Sequence, residues 1–388
     1  MPSFYEFFAG GGMARIGLGS DWHCEFANDI SEMKAASYRC NFQMEERAFA
    51  QIDIKSLKVK DIPGNADLVW GSFPCQDLSL AGNGEGLKGS RSGLIWQLLK
   101  ITKELRKQGR PPKALVLENV TGLLSSNQGQ DFYEILRALR KDGFFFGTLM
   151  MDAVHFLPQS RPRVFLVAVD SSQVAVAGQF SNGRKVSKYP WTTSRLDRLW
   201  KDAPRELRDN WIWWNVPAPP PRRSVLQNVI DPDCQVWDSH GYTEKLLNLM
   251  APLHRRKIEV ASSLGSEIIG TMYRRTRVMD GERSQRVEVR FDGISGCLRT
   301  PSGGSSRQRL LFVEGKKIRS RLISAREAAR LMGVPEDYSL PKSYNDGYRL
   351  AGDGVAVPVV KWLSSKLLLP LLSSQGTSAE DEVQLLYA

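Results

Sequence analysis

Over the first 170 or so residues, short apolar runs alternate with amphipathic stretches, the pattern of a doubly wound α/β sheet. Phe4 to Phe8 reads as a strand, followed by a glycine turn and a helix from about Gly12 to Gly19. Glu25 to Asn28 reads as a second strand and Ile30 to Asn41 as a second helix. Further strands are expected at Leu68 to Ser72, Ala114 to Glu118, Gly147 to Asp152 and Arg163 to Val169, with helices near Leu94 to Lys107 and Gln130 to Lys141. Each βα unit of such a fold delivers its loop to one sheet edge, so residues far apart in sequence meet there.

From about Ser171 the pattern changes. Six of the ten tryptophans (Trp191, Trp200, Trp211, Trp213, Trp214 and Trp237) fall in one interval beside the run Pro217-Ala218-Pro219-Pro220-Pro221, which favours a stiff polyproline-type segment over helix or sheet. A second, irregular, partly β domain is expected over 185–320, after a first domain at 1–184. Ser324 to Gly333 reads as a capped helix with a glycine stop, opening a helical return segment over 321–372 that packs back on the first domain. Residues 373–388, with Glu380-Asp381-Glu382, read as a frayed tail.

The chain has 388 residues and a net charge of +11, which suggests a polyanionic partner. The distribution sharpens that reading: twelve Lys/Arg against six acids lie between Arg255 and Arg309, so over half the net charge comes from one short segment suited to phosphate contacts. The start has no basic region leading into an apolar core, and no membrane span is expected. The expected setting is the cytoplasm, with reduced thiols. The five cysteines form no CxxC pair, so zinc ribbons and dithiol redox motifs are not expected, and no metal site is read.

One of those cysteines is placed for chemistry. Cys75, in Ser72-Phe73-Pro74-Cys75-Gln76, follows an apolar strand and precedes a glycine-rich loop, a position that presents a nucleophile. Phe8-Ala9-Gly10-Gly11-Gly12 joins the first strand to the first helix, where glycines admit close backbone approach and the helix start offers free amides. The dinucleotide pattern GxGxxG is not met, since its third glycine would fall at Arg15. Asp29 is placed either to bind ribose hydroxyls or to cap the next helix, and Asp53-Ile54 to hold an adenine edge. Glu118 ends an apolar strand on the same edge as Cys75, in a partly desolvated place where a raised pKa makes a proton donor. Gln159-Ser160-Arg161-Pro162-Arg163 supplies two guanidinium groups to that edge.

The ordered set Phe8-Ala9-Gly10-Gly11-Gly12, Phe73-Pro74-Cys75-Gln76, Glu118-Asn119-Val120, Gln159-Ser160-Arg161-Pro162-Arg163, Arg326-Glu327-Ala328-Ala329-Arg330-Leu331 and Gly352-Asp353-Gly354-Val355 resembles the DNA cytosine-C5 methyltransferase family, bacterial restriction-modification type. It spans nearly the whole chain apart from 186–289 and the tail. The resemblance implies a Rossmann-like S-adenosylmethionine-dependent domain, with S-adenosylhomocysteine as product and no metal, plus a smaller target-recognition domain. It implies methyl transfer to C5 of a flipped-out cytosine in a short duplex DNA sequence, through a covalent adduct of Cys75 with C6. Glu118 would act at N3 and Arg163 at O2, with Arg161 supporting. Residues 77–93, containing Gly82, Gly84, Gly86, Gly89 and Gly93, would be the loop that closes on the base.

By the same resemblance, Phe8, Ala9, Gly10, Gly11, Gly12, Asp29, Ile30, Asp53, Ile54, Pro74, Asp353 and Val355 would bind the cofactor. Gln76, Ser79, Arg91, Gln159, Arg274, Arg275, Arg277, Arg299, Thr300 and Ser302 would face double-stranded DNA. A monomeric bacterial cytoplasmic enzyme is implied, functionally paired with a cognate restriction endonuclease. Three positions depart from the family: Asp353 replaces the usual Asn, Met13 a common glycine, and Ala81 a frequent serine. Alternatives are a transfer-RNA cytosine methyltransferase, whose Cys-Phe-Thr tripeptide is absent, and an inactive DNA-binding paralogue, which would lack the Cys or Glu.

Overall fold

The computed structural model describes residues 1–43, 46–74, 92–181, 191–279, 282–300 and 306–373. Seven strands form the main sheet: β1 (Ser3–Phe7), β2 (His23–Asn28), β3 (Phe49–Ala50), β4 (Leu68–Gly71), β5 (Ala114–Val120), β6 (Phe144–Asp152) and β7 (Pro162–Asp170), in the order β3-β2-β1-β4-β5-β7-β6. The central strands are near-continuous apolar runs because helices cover both faces. Helices α1 (Met13–Leu18) and α2 (Glu32–Asn41) lie against one face, and α3 (Ile95–Lys107) and α4 (Gln130–Lys141) against the other. In α4, Phe132, Ile135, Leu136 and Leu139 recur at helical spacing and are all buried.

The sheet is mixed. β7 is inserted antiparallel between β5 and β6, with Glu118 opposite Phe165 and Val120 opposite Arg163. In a parallel arrangement the start of β7 would lie at the far edge from the end of β5. Reversing the strand is what brings Arg161 and Arg163 to Glu118.

The return segment completes the first face. Ser324 and Glu327 form a capping box at the start of Ala325–Leu331. Ala328, Leu331, Leu350, Val360, Leu363 and Leu367 then join Met13, Ala14 and Leu18 of α1 in one apolar cluster. By length and composition the stretch Tyr344–Ser373 could cross a membrane, yet most of its apolar window is buried as a core helix is.

The tryptophan-rich interval divides: Trp237 packs on Phe312 of the small sheet, and the earlier tryptophans pack on the large one. Trp191 and Trp214 pack into the face carrying α1 and α2, and Trp211 into the face carrying α3 and α4. Phe146 N donates to Asn210 O and Ile212 N to Phe146 O, so residues 210–212 dock along the exposed edge of β6. Gly147 permits this approach, since a Cβ there would lie 2.0 Å from Ile212 O. Edge pairing and aromatic burial thus place 191–216 with the large sheet, beyond the expected boundary at 185.

The small sheet has four antiparallel strands in the order β11-β10-β8-β9: β8 (Ile268–Met279), β9 (Glu282–Arg290), β10 (Arg309–Glu314) and β11 (Lys317–Leu322). Helices His240–Asn248 and Pro252–Ser263 cover one face through Leu246, Met250, Ile258 and Ala261, packed on Met272, Val287, Val289 and Leu311. A buried bidentate pair, Arg321 Nη1 to Glu327 Oε2 at 2.7 Å and Arg321 Nη2 to Glu327 Oε1 at 2.6 Å, joins β11 to the return helix.

Candidate active site

The carboxyl ends of β1, β2, β4 and β5, the start of β7, residues 297–300 and the loop after Gly352 enclose one cavity of about 920 Å³. Its lining includes Phe8, Ala9, Gly10, Gly11, Asp29, Ile30, Asp53, Ile54, Pro74, Glu118, Arg161, Arg163, Arg299, Thr300, Asp353 and Val355. Residues expected from distant parts of the sequence therefore do share one site. Gly12 supports it from behind: its φ of +77° and the ring of Phe42, 2.2 Å from where a Cβ would be, both require glycine.

At one end of the cavity the glycine turn is held by a carboxylate. Gly10 N donates to Asp29 Oδ2 at 2.9 Å, and Ser31 N donates to Asp29 Oδ1 at 2.8 Å. Asp29 thus joins the turn after β1 to the start of α2. Gly11 O accepts from Tyr338 Oη at 2.7 Å, which ties the same turn to the return segment. Ile30 is 65% exposed and offers an apolar wall, and Asp53 Oδ1 accepts from Lys55 N. Met13, which stands where a glycine is common, packs against Gly354: a Cβ on residue 354 would lie 2.1 Å from the Met13 sulfur, so the two positions accommodate each other.

At the other end stands Glu118, 8% exposed. Burial pushes its pKa up, against the opposing pull of Arg163, Arg161 and a hydrogen bond from Ser72. Arg163 Nε lies 3.3 Å from Glu118 Oε1, a diagonal contact set by the antiparallel register of β5 and β7. Asn119 Nδ2 donates to Phe73 O, fixing the backbone that leads through Pro74 toward Cys75. Cys75, Gln76, Ser79, Arg91 and Ser302, most of the loop 77–93, and the tail from residue 374 lie outside the described residues.

Arg161 is 2% exposed, and its guanidinium is spent on backbone: Nη1 donates to Leu298 O, and Nη2 to Gly352 O and Gly354 O at 2.8 and 2.7 Å. It positions the cavity walls. Gln159 is not on a DNA-facing surface. It is fully buried, donating to Leu331 O and accepting from Leu298 N, because the turn before β7 threads beneath residues 295–298. Together Gln159 and Arg161 hold Cys297, Leu298 and Arg299 at the cavity. Cys297 was not among the expected site residues. Burial raises its thiol pKa, but Arg161, Arg163 and Arg299 outweigh burial and hold it below the ordinary value.

A family model for C-5 cytosine-specific DNA methylase matches residues 3–368. The chain belongs to this family. It is a DNA cytosine-5 methyltransferase, and the family takes its methyl group from S-adenosylmethionine. It is similar to Type II methyltransferase M1.ScrFI of Lactococcus lactis subsp. cremoris, 27% identical over 375 residues, 95% of this chain and 79% of that protein. M.HpaII of Haemophilus parainfluenzae is 26% identical, covering 94% and 89%. Among solved structures, the S. pombe Dnmt2 methyltransferase superposes with a TM-score of 0.58 at 18% identity, covering 96% of this chain and 99% of that one. At that identity the likeness is one of fold.

In the methyltransferase, the basic segment divides across two faces of the small sheet. Alternation along β8 puts Arg275 and Arg277 with Tyr273 and Thr271 on the side away from the two helices, exposed at Arg275 and Arg277, while Arg274 shares the opposite side with Met272. Strand period thus divides the three arginines expected to face DNA between the two sides of the sheet. Thr271, buried at the start of the side carrying Arg275 and Arg277, donates from Oγ1 to Ile294 O and so ties β8 to the segment leading to Cys297 and Arg299. Glu288 sits among the cations of that side, accepting from Tyr273 Oη and pairing with Arg275 and Arg277. Arg286, opposite Arg275, adds a further positive charge to that face.

Proposed function

We infer that the enzyme methylates C5 of a cytosine flipped out of duplex DNA at a short specific sequence, through a transient bond between Cys75 and C6. The observation that carries this reading is the buried Glu118 beside Arg163 at a cavity whose other end is the glycine turn and Asp29. A base in the helical stack cannot reach a carboxyl set at the bottom of a cavity, so the nucleotide must be extruded.

The residues proposed for the cofactor fit it chemically. Phe8, Ile30 and Ile54 offer apolar walls, Asp29 and Asp53 offer carboxylates for hydroxyl and amino groups, and the turn at Gly10 lets backbone approach closely. When bound, S-adenosylmethionine supplies the electrophilic methyl that C5 accepts, leaving S-adenosylhomocysteine. The protein's part is to make C5 nucleophilic. The Cys75 thiolate adds to C6, its S–C6 bond formed at the expense of the C5=C6 π bond, whose electrons move toward C5. Glu118, whose pKa burial raises, donates from its protonated form to N3 and disperses the charge that develops. Arg163 holds the base at O2 while Arg161 fixes the walls. Loss of the C5 proton to a base then expels Cys75 and restores the ring.

Relatives named Type II methyltransferases favour a role in protecting host DNA from a cognate endonuclease, in the bacterial cytoplasm, and a single working chain is supported by one sequence carrying every motif of the ordered set. The test is incubation with tritiated S-adenosylmethionine and plasmid DNA, with transfer RNA in parallel, followed by bisulfite mapping. Label at cytosines in one recurrent DNA context, lost in Cys75→Ser while duplex binding persists, is expected. Label in RNA alone would overturn the substrate, and undiminished transfer by Cys75→Ser would overturn the mechanism.

A further inference from the structure

Asp353 departs from the Asn expected at its position, and the structure shows what answers its charge. Lys34 Nζ of α2 lies 2.8 Å from Asp353 Oδ2, with side chains 16% and 29% exposed, and Arg349 Nε lies 3.7 Å from the same oxygen. All three side chains line the cavity. Lys34 is one helical turn beyond Ile30 and Ser31, where Asp29 anchors the start of α2, and Asp353 lies between the two glycine carbonyls that Arg161 holds. The pair therefore spans the cavity from the wall carrying Asp29 to the wall carrying Val355.

We propose that Lys34 is a positioning residue for the cofactor: its ion pair with Asp353 ties α2 to the return segment across the cavity and cancels the carboxylate that Asp353 brings there. The inference rests on the reading of this cavity as the S-adenosylmethionine site. Removing one partner of a partly buried pair leaves the other charge uncompensated, whereas removing both does not. With Lys34 removed, Asp353 keeps only the more distant and more exposed Arg349 at 3.7 Å, and a carboxylate so weakly answered repels a ligand carboxylate and favours a ligand carrying a sulfonium over one carrying a neutral thioether. Lys34 thus sets two properties together, affinity and the balance between cofactor and product.

The experiment is equilibrium titration of S-adenosylmethionine and S-adenosylhomocysteine, without DNA, into the wild-type protein, Lys34→Met, Asp353→Asn and the double variant. Lys34→Met is expected to weaken both ligands, about tenfold for S-adenosylmethionine and more for S-adenosylhomocysteine. Asp353→Asn leaves the Lys34 cation uncompensated and is expected to shift the preference the opposite way, toward S-adenosylhomocysteine, and adding it to Lys34→Met is expected to recover most of the loss and abolish the altered preference. A loosened helix would weaken both ligands alike and would not be rescued by a second substitution. Lys34→Met within about twofold of wild type, or a double variant as weak as Lys34→Met, overturns the proposal. No binding of either ligand by the wild type removes the cofactor site itself, and the proposal with it.

Discussion

Glu6 lies at the floor of the cavity on β1, 1% exposed, accepting from Tyr38 Oη at 2.9 Å. Burial pushes its carboxyl up to about 7, only partly opposed by Tyr38 and Arg15. Unfolded, the same group titrates near 4.5. Between those two values the folded protein holds a proton that the unfolded chain has released, so this group's contribution to stability falls as pH rises from about 4.5 to about 7 and is level above that. A difference of about 2.5 in pKa, at about 1.4 kcal/mol each, corresponds to roughly 3 kcal/mol. Glu6→Gln keeps an acceptor for Tyr38 and removes the titration. At about 2 cal/mol/K of unfolding entropy per residue, a protein of this size converts roughly 3 kcal/mol into about 4 °C of melting temperature. Melting curves for both proteins from about pH 5 to about pH 8 are the assay. Because pH 5 already lies above the unfolded value, the gap between variant and wild type is expected to widen in the variant's favour by about 3 °C across that range. A gap that stays constant with pH would show that Glu6 is already ionised at the low end and would refute the reasoning.

Three further outcomes are expected. Glu118→Gln should lower the methyl-transfer rate by about 10²- to 10⁴-fold with little change in S-adenosylmethionine affinity, measured by single-turnover transfer; a near-normal rate removes Glu118 as proton donor. Replacing Arg275, Arg277 and Arg286 by Gln should reduce the slope of log affinity for duplex DNA against log salt by about two, less than three full phosphate contacts because Glu288 already engages two of them. Arg274→Gln, on the other side of the strand, should leave the slope unchanged, and an equal effect from Arg274 would refute the division by face. Iodoacetamide near neutral pH should modify Cys297 well ahead of Cys24, whose thiol burial pushes up to about 12, and Arg299→Gln should slow Cys297; equal labelling by peptide mass spectrometry would contradict the guanidinium effect.

The site is assembled by residues that carry little local signal of their own. Glu6, Ser72, Lys34 and Cys297 all reach the cavity, yet none stands out in sequence: a lysine in an amphipathic helix or a lone cysteine in a loop reads as surface or core. Arg161 and Gln159 show the reverse case. Both belong to a conspicuous run, and both are used up inside the protein, because the turn that carries them passes under residues 295–298.

The sequence by itself determined the elements of the large domain, since a strand buried on both faces must be an unbroken apolar run and an amphipathic helix must repeat at its own period. Ala114 to Val120 and Gln130 to Lys141 are legible on those grounds alone. It also pointed to many of the residues that gather at the cavity, because βα loops share one edge and Gly10 and Gly12 admit the left-handed backbone of the first turn. Tertiary structure decided the rest. The reversal of β7 places Arg163 on Glu118, the pairing of Trp191 and residues 210–212 with β6 carries that stretch onto the large sheet, and the pairing of β8 with β9 separates Arg274 from Arg275 and Arg277. Each of these depends on strand order and register. Those are fixed by long-range packing and hydrogen bonding, which leave no periodic trace in the chain that carries them.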